Sequence, residues 1–159
     1  MDALQVREAG PNDSATLFAW RNDPLTRSAS LNTDEILWES HEEWFTHALA
    51  CRTRHIFMIE ALSNAETRPI GMCRFDVDGE TAEVSINLAP VMRGKGLAVG
   101  VLRSAITYFW SADLHNTEII AQVREENTAS RRLFERVGFS TKSSDGVVVV
   151  FDLKKPKTS

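Results

Sequence analysis

The sequence predicts an α+β fold, in which a central mixed, mostly antiparallel sheet is flanked by about four helices. Three observations carry that expectation. Short apolar segments with strand character recur along the 159 residues. Amphipathic stretches with helical spacing fall between them. The two kinds alternate as β-α-α-β-β-β-α-β-α-β, with room for a further short strand near Phe139.

The elements follow in order. "LQVREA" alternates and reads as a first strand. "GPNDSATLFAWRNDP" carries helix-start chemistry, with Asn12 or Asp13 as N-cap. Asp23-Pro24 closes that helix, because the residue before proline avoids the helical region. "TRSASLNTDEIL" is polar and uneven, a loop or an irregular helical turn. Ser40-His41-Glu42-Glu43 fits a capping box ahead of Trp44, Phe45, Ala48 and Leu49, which share one helical face.

"HIFMIE", "IGMCRFDV" and "AEVSINLA" are three strands of an antiparallel meander. The linker "LSNAETRP" joins the first two and an Asp78-Gly79 turn the second pair. Leu97–Trp110 places Ala98, Leu102, Ala105 and Phe109 on one helical face. "TEIIAQVR" is a strand, and "NTASRRLFERVGF" a helix capped by Asn127 or Thr128 and ended by Gly138. "GVVVVFDLK" closes the sheet, and the last residues fray.

Composition narrows the function classes. A 43% hydrophobic, 25% charged chain is that of an ordinary globular domain. A net charge of −4 argues against a broad nucleic-acid surface. No apolar run approaches the ~20 residues that span a bilayer, and Arg103, Ser104 and Thr107 break the longest one. The N-terminus lacks secretory-signal character, so a cytoplasmic protein without membrane association is expected. Cys51 and Cys73 form no CxxC pair, and the four histidines form no ligand pattern, so no metal is expected.

The segment "PVMRGKGLAVG" is a glycine-rich joint between a strand and a helix, where main-chain N–H groups converge on phosphates. It fails the Walker pattern, because Lys95 lies between glycines and Leu97 stands where a metal-binding hydroxyl is required. It also fails GxGxxG, since Val99 occupies the third glycine position. Arg93-Gly94-Lys95-Gly96-Leu97-Ala98 does fit [Q/R]-x-x-G-x-[G/A]. Together with "N-x-x-S-x-x-L-F-E-x-x-G-F" downstream, it resembles the acyl-CoA loop and closing motif of the GCN5-related N-acetyltransferases, the GNAT superfamily. The resemblance runs over nearly the whole chain.

It implies one GNAT domain over 1–159: acceptor-side helices in 1–53, sheet and CoA loop with its helix in 54–123, a C-terminal helix and strand in 124–154, and a frayed tail in 155–159. It implies acetyl-CoA as co-substrate, its pyrophosphate held by N–H groups of Lys95 to Ala98 with charge from Arg93 and Lys95. Small residues at Gly94, Gly96 and Ala98 allow that approach. The pantetheine arm would add beside Asn87, Leu88 and Ala89 like a missing strand, with an N–H near Leu88 as oxyanion donor.

Glu83 is the expected base; alternation puts Glu83, Ser85 and Asn87 on one face, and the family often carries a glutamate here. The alternative is a cross-strand salt bridge to Arg74. Where the family usually has a tyrosine acid stands Phe134. Ser130, one turn earlier, could then protonate the thiolate, or solvent could. Asn127 would cap its helix and reach the pantetheine.

The pattern "WRNDP…H…WF" resembles the branch that includes pseudaminic-acid-pathway acetyltransferases acting on a UDP-linked 4-amino sugar. It is similar, more loosely, to ribosomal-protein N-terminal acetyltransferases. It nominates Trp20, Arg21, Asn22, Asn32, His41, Trp44 and Ser85 for acceptor binding, with packing the alternative for the aromatics. The expected acceptor is a small amine, an amino sugar before a peptide N-terminus. A catalytically weak acyl-CoA-sensing module is the rival of another class. A homodimer is compatible with the sequence.

Overall fold

Strand alternation and turn punctuation build a seven-stranded sheet in the computed structural model, which describes residues 3–31, 33–112 and 115–157. Asn32, one of the acceptor candidates, lies outside the described residues. The strands are β1 (Ala3–Glu8), β2 (Arg54–Ser63), β3 (Glu66–Asp78), β4 (Thr81–Leu88), β5 (Glu118–Arg124), β6 (Ser140–Ser144) and β7 (Val148–Lys154), and the helices are α1 (Ser14–Asn22), α2 (Pro24–Ala29), α3 (Trp38–Ala50), α4 (Ala98–Ala112) and α5 (Thr128–Val137). The strand order is β1-β2-β3-β4-β5-β7-β6. Every neighbouring pair is antiparallel except β4–β5.

Alternation assigns the two faces. Cys73 and Phe75 of β3 point to the side covered by α4, where Phe109 stacks on Phe75 with centroids 4.3 Å apart. Val101, Leu102, Ala105, Ile106 and Phe109 form the buried stripe of α4. Each large apolar side chain so buried contributes about 1.5–3 kcal/mol before entropy is counted. Met72, Arg74, Glu83, Ser85 and Asn87 face the other side, toward α1 and α3.

Three local expectations change. Asp13 makes no side-chain cap bond to α1, and Asn12 lies in a 3-10 turn before it. The Asp13 carboxylate is drawn instead to the Arg7 guanidinium, at 2.8 Å for both bonds, and to the Gly10 N–H. The capping box at Ser40 to Glu43 does not form, because α3 already begins at Trp38. There the Trp38 ring packs edge-on to Phe18 at 5.1 Å, extending the helix upstream of its sequence signal. Part of the segment read as loop or irregular turn is α2, whose N-cap Asp23 accepts from the N–H groups of Leu25 and Thr26.

The feature that creates a site is the parting of β4 from β5. Their parallel pairing covers Thr81–Glu118, Ala82–Ile119 and Glu83–Ile120, and ends there. Beyond Glu83 the two strands diverge. Among the described residues no helix is long and apolar enough to cross a membrane. No group of His, Cys, Asp and Glu among them is placed to hold a metal ion.

Candidate active site

The diverging strands open a cleft of about 730 Å³. Its walls bring together Arg21, Trp44, Glu83, Ser85, Leu88, Arg93, Gly94, Ala98, Asn127, Ser130 and Phe134 from distant parts of the sequence.

At one end lies the glycine loop. Gly94 and Gly96 have φ of +73° and +74°, in the left-handed region that favours glycine. A Cβ at either would meet nothing within 4 Å, so glycine is required there by backbone conformation and not by crowding. The consequence is a run of donors. Among the described residues, no N–H from Gly94 through Gly100 has a protein acceptor; the helical ladder resumes with Val101 donating to Leu97. Such a run at a helix N-terminus is suited to a polyanion. Lys95 is exposed beside it, whereas Leu97 packs against the core. Lys95, Gly96 and Leu97 are absent from the cleft wall, although Gly94 and Ala98 on either side line it.

Arg93 is not free to follow the loop. Its Nη1 donates to Asp23 Oδ2 at 2.6 Å and its Nη2 to the Thr26 hydroxyl. Ala89 differs from expectation too. It is buried, its N–H donates to Ile70 O at 2.9 Å, and its C=O accepts from Met92. Ala89 therefore has both main-chain groups engaged, because the chain turns into a 3-10 turn at Pro90.

At the parting point Glu83 accepts from the Gln122 amide at 2.9 Å. The alternative salt bridge with Arg74 does not form, since Arg74 lies opposite Ser85 and donates to Asp76 at 3.1 Å. Across the cleft, Asn127 Oδ1 accepts from the Ser130 N–H at 3.1 Å, which caps α5. Ser130 and Phe134 then line the wall one helical turn apart. The Phe134 ring is buried edge-on to Phe139 at 5.0 Å and stacks with Phe151.

The acceptor candidates divide. Arg21 and Trp44 line the cleft, with the guanidinium carbon 4.3 Å from the ring centroid. Trp20 is 7% exposed and belongs to the core, because with Leu17 it forms the inward stripe of α1. Asn22 lies outside the wall. Its amide grips the main chain of Ile36, donating to its C=O at 2.6 Å and accepting from its N–H at 2.7 Å.

His41 is fully buried behind Arg21. Its Nδ1 is 3.0 Å from Arg21 Nη1 and its Nε2 3.0 Å from Ser14 O. Arginine only donates, so Nδ1 accepts and the proton resides on Nε2. Burial and then the Arg21 charge push the imidazole below its ordinary range, in keeping with that neutral tautomer. His41 thus positions Arg21 and does not touch the cleft. Arg74, which sequence reasoning treated only as a partner for Glu83, also faces the cleft. Its cross-strand register with Ser85 was the signal available.

Comparisons with known proteins identify the family and the fold. The model of the acetyltransferase (GNAT) domain family matches residues 3–140. An L-methionine sulfoximine/L-methionine sulfone acetyltransferase of Pseudomonas paraeruginosa is 26% identical over 144 residues, covering 86% of this chain and 80% of that protein. An uncharacterised Methanocaldococcus jannaschii protein is 24% identical over 136 residues, covering 84% of this chain; the match spans 27% of that protein's length. The crystal structure of a Vibrio cholerae spermidine N-acetyltransferase in complex with CoA and spermine has the same fold, with a TM-score of 0.83 at 21% identity and 95% of each chain covered.

Proposed function

Because the chain belongs to the GNAT acetyltransferase family, we propose that it transfers acetyl from acetyl-CoA to the primary amine of a small molecule in this cleft. The single observation that carries the reading is the strand parting, with unpaired loop N–H groups at one end and Glu83 at the divergence. The acceptor we favour is an amino sugar, free or nucleotide-linked, or a similarly small amine. The Vibrio structure and the Pseudomonas relative are named for spermidine and for methionine sulfoximine, both small amines.

Acetyl-CoA supplies an activated thioester: the amine nitrogen bonds to the acetyl carbon as the C–S bond breaks and sulfur keeps the electron pair. The chain's residues do the rest. N–H groups of Lys95 to Ala98 hold the pyrophosphate. Leu88 offers strand-edge groups to the pantetheine arm, because main-chain groups alternate along β4 and those of Asn87, in step with the Ala89 N–H that bonds Ile70, turn toward β3. The Asn127 amide lies across the gap and Phe134 forms the apolar wall. A main-chain N–H at Leu88 meets the charge that develops on the carbonyl oxygen. Glu83 takes the ammonium proton through a water. The proton that the attacked nitrogen sheds, or one from water, passes through the Ser130 hydroxyl to the departing sulfur, so that the hydroxyl is regenerated in the same step.

A thiol-release assay over an amine panel tests this, comparing wild type with Glu83→Gln. Turnover above the uncatalysed background is expected, with Glu83→Gln depressing it most at low pH, where the amine is protonated. An unchanged pH–rate profile removes Glu83 as base. Acetyl-CoA binding without turnover of any amine favours the sensing module.

A further inference from the structure

Among the described residues, the arginines around the Trp44 ring outnumber the carboxylates that pair with them. Three guanidiniums surround the Trp44 ring, with carbons 4.3 Å (Arg21), 5.6 Å (Arg74) and 6.0 Å (Arg54) from its centroid. One carboxylate serves two of them: Asp76 accepts from Arg54 at 2.8 Å and from Arg74 at 3.1 Å. Arg21 has no carboxylate partner among the described residues; its contacts are neutral His41 and the Trp44 face. By contrast Arg7, Arg54, Arg74, Arg93 and Arg124 each pair with an acid. Burial, and then the charge of Arg74, pull the Arg21 guanidinium below its ordinary range. A cation held in place by a dedicated histidine, with a second cation beside it, is a site built to receive an anion.

We propose that the acceptor amine carries its own oxyanion, a carboxylate or phosphate, which binds between Arg21 and Arg74 while the amine points toward Glu83. This rests on reading the cleft as the acyl-transfer site. The register sets the size. Arg74 lies opposite Ser85, and Glu83 is two residues away on the same face, about 7 Å along the strand. Amine and oxyanion can therefore belong to one small molecule, such as an α-amino acid or an amino-sugar phosphate. A polyamine would carry a second ammonium into the arginines, where like charges repel.

The test uses matched amines with acetyl-CoA: L-methionine against its amide, glucosamine 6-phosphate against glucosamine, and spermidine. At least one anionic member is expected to exceed its neutral partner in kcat/KM by about 10- to 100-fold. The amino-acid and sugar-phosphate arms distinguish the two sources of oxyanion. Arg21→Gln is expected to raise KM for that acceptor by a similar factor, and Arg21→Lys to restore part of it. Thermal stabilisation of both variants by acetyl-CoA reports that fold and donor site are intact. Calorimetry with N-acetyl-L-methionine and N-acetylglucosamine 6-phosphate, in the presence of CoA, reads the pocket without turnover. Neutral amines or spermidine turning over as well as the anionic ones would overturn the oxyanion and leave acyl transfer standing. Binding of an anionic product, lost in Arg21→Gln, supports the oxyanion even if no amine turns over. Failure of both products to bind overturns it.

Discussion

Arg93, in the glycine loop, sets its Nη1 2.6 Å from Asp23 Oδ2, the oxygen that also accepts from the N–H groups of Leu25 and Thr26 at the start of α2. One carboxylate oxygen thus joins the donor loop to the acceptor-side helix. Asp23→Asn preserves the cap and removes the charge, so it shifts the thermal midpoint by less than about 2 °C, whereas Asp23→Ala lowers it by about 3–6 °C. Thermal unfolding followed by circular dichroism separates the two.

Gly96→Ala isolates backbone conformation, because no atom obstructs the added carbon while φ is +74°. The strain costs about 1 kcal/mol, yet it turns the loop's donors away from one another. The expected result is a KM for acetyl-CoA raised by roughly 10-fold. Steady-state kinetics against acetyl-CoA at saturating acceptor checks it.

Ser130→Ala tests the proton donor on the departing sulfur. A thiolate leaves readily unaided, so kcat should fall only about 10-fold, below the usual range for general acids. Phe134→Tyr should bring no compensating gain, because the ring is packed edge-on to Phe139 in the wall. Single-turnover rates of CoA release measure both.

The neutral state of His41 makes the acceptor side sensitive to acid. Its folded pKa lies below that of the unfolded chain, near 6.5. The unfolded state therefore binds more protons in between, and stability is complete above pH ~6.5 and lost as pH falls below it. Urea midpoints measured from pH 7.5 down to 5 should show the decline, and His41→Gln should flatten it.

Glu118 gives a second, more acidic window. The hydrogen bond from Lys154 and that from Lys142 hold its carboxylate down at about 2. Its contribution is present above ~4.5 and disappears as pH falls toward 2. Glu118→Gln should lower the urea midpoint at pH 7 and weaken the acid transition over that window.

Much of the architecture was legible because it is local. Helical spacing in Leu97–Trp110 and the Asn127 and Gly138 caps all reappear within two residues. The exceptions are places where a distant partner wins. Asp13 has cap chemistry, yet Arg7 claims it; Ser40 opens a capping box, yet Trp38 finds Phe18 and starts the helix earlier. The same holds in the cleft. Glu83, Ser130 and the loop could be nominated from strand alternation and motif spacing. That His41 stands behind Arg21, and that Arg74 stands beside it, depends on how α1, α3 and β3 pack, which no short window encodes.

The brief seam between β4 and β5 divides more than the backbone. Glu83, Arg21, Arg74 and Trp44 belong to the part built from β1–β4 and the first three helices, whereas Asn127, Ser130 and Phe134 follow β5. The groups proposed to react sit on either side of that seam, and a pantetheine arm laid between them would be the splint that fixes their separation. If the arm supplies that splint, acetyl-CoA binds before the amine. Slowed amide exchange along residues 84–88 and 121–124 on adding CoA alone would be the mark of that splint, before any acceptor arrives.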